Sequence, residues 1–558
     1  YPSVKSISDR VDVAIIATPA FTVPSIVKEC GEKGIKALII VSSGFSEIGK
    51  RGEELQKEIE LIRKKYGLRI LGPNCLGYIR PSSGINLSFA RETPSRGGVA
   101  FISQSGAMGS SLLDWSTAAQ VGFSAFVSIG NMSDINFADL INYFGHDPET
   151  KSILLYMETL KDPEEFIRAT RPVARRKPII CLKGGKHSLS RKVVPEHVGI
   201  TPGRDEIYDA LFKRVGITRV ENLDDLFTCS EILAHERIPQ GQNLAIVTNA
   251  NGPAILTLDA ILDRGGNIAS LNKKTIRKLK KVLPSQVNPT NPLDLLGDAN
   301  SLRYQKCAEI VSEDDNVDAL LILYCPQGEA SAVQAAEAVV EVAQNSKKPI
   351  FTAWIGGEEA REGRKKLRNN GIMTCSAPER AAKAYFLLYS YSRNIQMLYQ
   401  IPEDLQLKQE IYEIPREIKR QALKGPVELP EEEKQKLFRS YGLEIDNRKL
   451  RKKATEKNLS HIDDSAPVLS INLGSHRDEL FGSLILIGPK KMNLKSDQKL
   501  TVGFPPLNQV LALRLVEESG IKRSVKNIFT NHKKMIRELE KTLVSFSQIL
   551  VDFPEIKE

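Results

Sequence analysis

The chain lacks a long hydrophobic run. Its apolar stretches, such as ALIIV at Ala37–Val41 and LLIL at Leu320–Leu323, have the length of buried strands and fall short of a membrane span. No signal-peptide pattern opens it, and its seven cysteines fall without CxxC or zinc-type spacing. Both features point to a reducing cytoplasm with structural or free thiols. Histidine is scarce, with seven in 558 residues, and no pair stands at metal-ligand helical spacing beside a third ligand. No structural metal is expected. The net charge is +10, yet the densest basic runs, Lys273–Lys281 and Arg448–Lys457, carry no interleaved aromatics. They read as solvated segments, and neither nucleic acid nor a membrane is expected as a partner. A basic surplus equally suits a protein that handles several anionic phosphates.

What is present is ordinary in bulk, with 41% hydrophobic and 26% charged residues, and too long for one core. Three or four domains are expected. Residues Val11 to Arg80 alternate strand and helix: VDVAIIATP, a helix over Ser25–Lys33, KALIIVSSGF, a charged helix over Glu53–Tyr66, then LRILGPN. Apolar runs separated by helices imply a parallel sheet with right-handed crossovers. Ligands bind at the carboxyl ends of such strands, which here carry Thr18–Pro19, Ser42–Gly44 and Gly72–Asn74. The unit should open with a strand and a Gly-rich turn. None precedes Tyr1, so the first strands are expected to be missing from residues 1–95.

A second domain is expected over 96–238. GGVAFISQSGAMGSSLLDW runs from a strand (Val99–Ser103) through Gln104-Ser105-Gly106 into a helix begun by small residues. Such a helix start offers unpaired amides and a partial positive charge to an anion. Strands follow at Phe123–Ile129, Ser152–Met157 and Pro178–Leu182. The pattern then recurs over 239–402. GQNLAIVTNANGPAILTLDA repeats strand, turn and helix; ALLILYCPQ answers SILLYME, and KPIFTAWIGG answers KPIICLKGG. Three matched strands in one order read as two tandem flavodoxin-like units, and Pro253 suits a first helical turn. Residues 403–427 read as a polar linker. The last part, 428–558, has a helix at Glu431–Tyr441, a strand at Ser483–Ile487 and a long helix at Lys533–Phe553. The stretch Arg448–Pro467 carries no clear element. The fold class is α/β.

His197 lies in VPEHVGITPGRDEIYD, a loop between a proline and two glycines, before a helix from Asp205 onward. The blocks ISQSGAMGSSLLDW, SIGNMSDINFADLINYFGHDPET, EHVGITPGRDEIYDALFKRVGI, VTNANGPA, NPLDLLGDA and AWIGG occur in this order. Over about residues 1–405 the chain resembles the nucleoside-diphosphate-forming acyl-CoA synthetases. These include ADP-forming acetyl-CoA synthetase and are related to succinyl-CoA synthetase. LFRSYGLEI, RDELFGSLILIG, FPPLNQVLALRLVEESGI and FSQILVDFPEI are similar to parts of the family's ATP-grasp domain.

The resemblance implies a Rossmann-like CoA-binding domain, the paired flavodoxin-like domains and an incomplete ATP-grasp domain. It implies coenzyme A on Thr18, Pro19, Ser42, Ser43, Gly44 and Asn74. Phosphate would lie between Ser105, Gly106 and Ala107 on one helix start and Asn251, Gly252 and Ala254 on the other. The family's phosphorylated histidine lies in a Ser-His-Thr-Gly motif. Here Glu196-His197-Val198-Gly199 takes its place, with Gly203, Asp205 and Tyr208-Asp209 in register. Glu158, ending SILLYME, is the expected acceptor for the imidazole's other nitrogen. ATP or ADP, Mg2+, a short-chain carboxylate and a homodimeric assembly complete the expected set. Acetate is the family's default acid, and 3-hydroxypropionate or 4-hydroxybutyrate would be a small hydroxy acid of the same class. The family's nucleotide-holding lysines have no match here. Its magnesium-holding Asn and Asp would lie past Glu558, so part of a longer protein is expected. The same blocks resemble the acyl-CoA-synthetase-like part of bacterial protein lysine acetyltransferases. That gives a second reading, an acyl-CoA-binding regulatory part.

Overall fold

The computed structural model describes residues 1–119, 121–198, 204–235, 238–264, 266–327, 331–399, 412–422, 425–443, 469–489, 500–528 and 531–556. The chain divides into two compact units. One holds Tyr1–Lys161, Glu165–Pro202 and Val215–Leu398; the other holds Asp162–Glu164, Gly203–Arg214 and Tyr399–Glu558.

The first unit opens with three parallel strands, β1 (Val13–Ile16), β2 (Ala37–Ile40) and β3 (Arg69–Leu71), in that spatial order. Their crossovers are α1 (Val23–Lys33) and α2 (Lys50–Tyr66). α1 has Pro24 in its first turn, where a missing amide costs nothing. It ends at Gly34 in the left-handed region (φ +85°) and buries Val23, Val27 and Cys30 against the sheet. α2 is charged on its outer side and turns Gly52, Gln56 and Ile59 inward.

The next two strands, β4 (Gly77–Arg80) and β5 (Ile85–Ser88), leave this sheet. They join a seven-stranded one built from β6 (Arg96–Ser103), β7 (Phe123–Ser128), β8 (Ser152–Met157), β9 (Ile179–Lys183) and β10 (Thr218–Val220). The order is β10-β9-β8-β6-β7-β4-β5, with β4 antiparallel to β7 and the strands β6 to β10 mutually parallel. The sheet boundary therefore falls after Asn74, whereas the expected first domain ran to residue 95. The physical reason is edge coverage: β4 pairs the open side of β7. Its Arg80 anchors the far end by donating to Asp147 at 3.1 Å and Glu149 at 2.9 Å. The helices α3 (Gly106–Ala119), α4 (Phe137–His146), α5 (Pro163–Ala174), α6 (Ser188–Val198), α7 (Asp205–Val215) and α8 (Leu223–His235) complete this part of the chain.

The third sheet repeats the second. β11 (Asn243–Thr248), β12 (Asn267–Ile268), β13 (Leu293–Asp294), β14 (Ala319–Tyr324), β15 (Ile350–Trp354) and β16 (Thr374–Cys375) lie in the order β12-β11-β14-β15-β16, with β13 also on β11. With the short β13 set aside, each copy places its second strand, first, third, fourth and fifth side by side, the flavodoxin-like order. The central strands β14 and β15 are buried at every position, as in a sheet covered on both faces. One face packs Val247, Leu320, Ile322 and Trp354, the other Ile246, Leu321 and Phe351. The helix α9 (Asn251–Leu262) follows β11 as α3 follows β6. Within Lys273–Lys281, read as a solvated basic run, Lys273–Leu279 is a helix that buries Thr275 and Leu279.

The second unit holds an antiparallel sheet of β17 (Ile471–Asp478), β18 (Gly482–Pro489) and β19 (Thr501–Gly503). It packs through Ile485 and Ile487 with Ala512, Val516, Ile521 and Leu543. These come from helices Gln509–Glu518, Ile521–Ile528 and His532–Asp552, the last being the long helix expected near the end. The stretch expected to be a polar linker contains a helix, Arg416–Ala422, made of good helix formers. Residues 448–467 lie outside the described residues. α7 is built into this unit. Tyr208 meets Phe481 edge-on at 5.1 Å between ring centroids, Lys213 pairs with Glu518 at 2.9 Å, and Arg214 donates to the Pro506 carbonyl.

The Arg80 anchor makes a pH prediction. Burial pushes the Asp147 carboxyl up, but hydrogen bonds from Thr150, Arg80 and the Glu149 amide outweigh it and hold the group below its ordinary value of 3.8. A depressed folded value stabilises the fold above the unfolded pKa and is lost as pH falls through the folded one. Unfolding measured from about pH 6 downward should therefore show a steeper acid loss in the wild type than in Asp147→Asn. The variant should already be the less stable of the two at neutral pH.

Candidate functional site

The centre of the site is a turn that occurs twice. At the end of β6, the Ser103 hydroxyl donates to the Ser105 carbonyl at 2.7 Å and accepts from the Ser105 amide at 3.1 Å. At the end of β11, the Thr248 hydroxyl does the same with Ala250, at 2.9 and 3.1 Å. Each hydroxyl closes a tight corner by bonding the residue two positions on, and a helix starts three residues after it. On α3, Ser105 caps the helix, accepting the Met108 amide at its hydroxyl and the Gly109 amide at its carbonyl. That leaves the Gly106 and Ala107 amides without intrahelical acceptors. On α9, whose cap is Ala250, the corresponding amides are those of Asn251 and Gly252; the next residue, Pro253, has none. Ala107, Asn251 and Gly252 are exposed, and Ser105 and Ala254 are buried. Ala254, expected among the phosphate donors, differs from the rest: its amide falls one position beyond the orphan donors, where the helix itself supplies an acceptor. Each helix start thus presents two backbone donors and the positive end of a helix dipole, an arrangement that holds an anion.

Glu158 follows β8, which lies beside β6 in the sheet. It is buried, 5% exposed, and so differs from an ordinary strand-end glutamate. Tyr156, two residues earlier on the same face, hydrogen-bonds its carboxylate; burial first, then this carboxylate, pushes the phenol's pKa up. Gly184 leaves the space beside both groups. A Cβ there would come within 3.0 Å of the Tyr156 hydroxyl and 3.3 Å of Glu158 Cγ. In the second copy the register places Cys325 at the position of Glu158, since Tyr324 pairs with Trp354 as Met157 pairs with Lys183. One copy carries the acid and the other does not.

The three strand ends of the first sheet form a second cluster. Thr18 accepts from the Thr22 hydroxyl at 2.8 Å, and Pro19 opens the turn before α1. The Ser42 carbonyl accepts the Asn74 amide at 2.9 Å. Asn74 sits in the left-handed region, φ +59°. Glu47, which sequence reasoning missed, caps the Ser42–Gly44 turn by accepting the amides of Gly44 and Phe45 at 2.6 and 3.2 Å. Asn131, also missed, ties the two sheets together. Its side chain donates to Glu47 at 2.5 Å and to Ser46 at 3.2 Å, and accepts from Asn74 at 3.3 Å. Asn131 lies in the SIGNMS segment, whose fit with the GPN turn was invisible in either alone.

His197 falls in the last turn of α6, whereas the sequence read as a loop there. The side chain of His197 and residues 199–203 lie outside the described residues. α6 runs beside the one-turn helix Ser46–Ile48, next to the Ser42–Gly44 turn. Val194 of α6 is buried, against Gly185.

Family models match three segments: a CoA binding domain over residues 1–81, a succinyl-CoA ligase like flavodoxin domain over 96–233 and an ATP-grasp domain over 460–558. An ADP-forming acetate–CoA ligase of Methanocaldococcus jannaschii is 31% identical, over 100% of this chain and 88% of its own length. ADP-forming acetate–CoA ligase I of Archaeoglobus fulgidus is 37% identical over 445 residues, and the chain spans 64% of it. An ADP-forming 4-hydroxybutyrate–CoA ligase of Nitrosopumilus maritimus is 30% identical, with 82% of this chain and 66% of that protein covered. Among solved structures, acetyl-coenzyme A synthetase 1 of Ca. Korarchaeum cryptofilum in complex with phosphate and ADP is 33% identical. It superposes with a TM-score of 0.67, covering 71% of this chain and 86% of that one.

Gly130 tests how the two clusters are joined. Its φ is +52°, and a Cβ would lie 2.1 Å from the Pro73 carbonyl oxygen. Gly130→Ala should destabilise the first unit by about 3 kcal/mol, read as a shift of its unfolding transition to lower denaturant. An unchanged transition would show that the Gly72–Asn74 turn and the Ser128–Ser133 segment are not rigidly packed.

Proposed function

The chain belongs to the ADP-forming acyl-CoA synthetase family, and on that premise we propose that it interconverts acid, CoA and ATP with acyl-CoA, ADP and phosphate. The observation that carries the reading is the duplicated helix start, with a buried acid, Glu158, on one copy only. Acyl-CoA enters with its CoA part on the strand ends at Thr18–Pro19, Ser42–Gly44 and Asn74. Phosphate is held by the amides of Gly106, Ala107, Asn251 and Gly252. A phosphate oxygen attacks the thioester carbonyl, the C–S bond breaks, and CoA leaves as the thiol with a proton, giving the acyl phosphate. The fixed amides and dipoles stabilise the charge that develops.

The acyl phosphate then passes its phosphoryl group to His197, releasing the carboxylate. A neutral imidazole is a competent nucleophile near pH 7 when an acceptor holds its other nitrogen; Glu158 has that role. Gly199 and Gly203 give the segment around His197 backbone freedom. Phospho-His197 then passes its phosphoryl group to ADP. Magnesium would offset the phosphate charge in that transfer. Among the described residues no group of three or more His, Cys, Asp or Glu side chains could hold a metal ion.

The acid we infer is short, acetate or a small hydroxy acid, as the names of the acetate– and 4-hydroxybutyrate–CoA ligase relatives suggest. All seven cysteines are free thiols, which supports a reducing cytoplasm as the compartment. Among the described residues no helix is long and apolar enough to cross a membrane.

Incubating the protein with radiolabelled phosphate and a panel of short acyl-CoAs tests the reading. The expected result is an acid-labile, base-stable label with at least one acyl-CoA, abolished in His197→Ala. A label that persists in the variant, or none with any acyl-CoA, overturns it.

A further inference from the structure

We propose that Gln104 is the positioning residue that aims Glu158 at the phosphate site; the inference rests on the role given to Glu158 above. Gln104 is 2% exposed and stands between the β6 strand end and the Ser105 cap. Its backbone amide donates to the Tyr156 carbonyl at 3.1 Å. Its side-chain oxygen accepts two consecutive amides, Glu158 at 2.5 Å and Thr159 at 2.9 Å. Its side-chain nitrogen faces the Met132 sulfur at 3.9 Å.

Two successive amides converging on one oxygen fix the direction in which the chain leaves β8, and with it the direction of the Glu158 side chain. The second copy shows what the alternative looks like. Asn249, one methylene shorter, accepts the Cys325 amide at 2.9 Å and donates to the Cys325 carbonyl at 2.8 Å. It grips both backbone groups of one residue, where Gln104 gathers the amides of two. The copy with the longer amide carries the acid; the copy with the shorter one carries a cysteine. Because Gln104 is bonded to Ser105 through the chain, one residue sets the acid and the anion-binding helix start in register. Removing its oxygen takes one shared acceptor from two consecutive buried amides, so the turn must adjust.

Gln104→Met keeps length and volume and removes the acceptor; Gln104→Asn keeps the amide and shortens its reach. Both are measured in the full chain by the rate of label transfer from phosphate to His197, with acyl-CoA titrated. In each, the maximal rate should fall about 100-fold, the scale of a misplacement near 1 Å, with KM for acyl-CoA unchanged. Adding either change to Glu158→Gln should cost little more, because both act through the same carboxylate. A wild-type rate in Gln104→Asn, or full additivity with Glu158→Gln, overturns the inference while label in the wild type leaves the parent reading standing. Absence of label in the wild type overturns both. If Gln104→Met does not fold, the Asn variant decides alone.

Discussion

A hydroxyl at the end of a parallel strand, bonded to the backbone two residues on, is the interaction on which the site depends. Ser103 and Thr248 each close a corner that turns a buried strand into the exposed start of a helix. The sheets hold the corners and the corners aim the amides. A helix start is a poor site alone, since water satisfies its amides well. Two of them on a duplicated scaffold offer four donors and two dipoles, all fixed before any anion arrives. Fixed donors need no reorganisation as charge develops, which is the main physical advantage of such a site over solvent.

Duplication also explains the division of roles. Both copies share the corner, the strand order and a side-chain amide in the corner. They differ where chemistry needs a difference: Glu158 against Cys325, Gln104 against Asn249, and Ser105 against Ala250 as the helix cap. A copy freed from carrying the acid can still donate amides to an anion. The buried Glu158, braced by Tyr156, gives the first copy its directional character.

Much of this was legible in the residues. The paired blocks around Ser152–Met157 and Ala319–Tyr324 showed the repeat, because strands buried on both faces read as continuous apolar runs. The helix starts were visible as small residues after a strand. What stayed hidden was contact between distant segments. Nothing local in SIGNMS says that Asn131 will reach Glu47 and Asn74, and nothing in GYIR says that β4 will pair β7. The helical backbone at His197 was missed because Pro195 and the glycines after it read as loop. A proline late in a helix that begins at Ser188 does not stop it. Ala254 was placed with the phosphate donors from sequence, where the position at which a helix changes from orphan donors to paired ones cannot be read to one residue.

Four fixed amides on two matched corners suit one anion shared by both helix starts. A crystal structure of the protein soaked with tungstate, a heavy tetrahedral mimic of phosphate, would locate that anion directly. The expected result is a single anomalous peak within hydrogen-bond distance of the amides of Gly106, Ala107, Asn251 and Gly252. Separate peaks at the two helix starts, or a peak at neither, would contradict it.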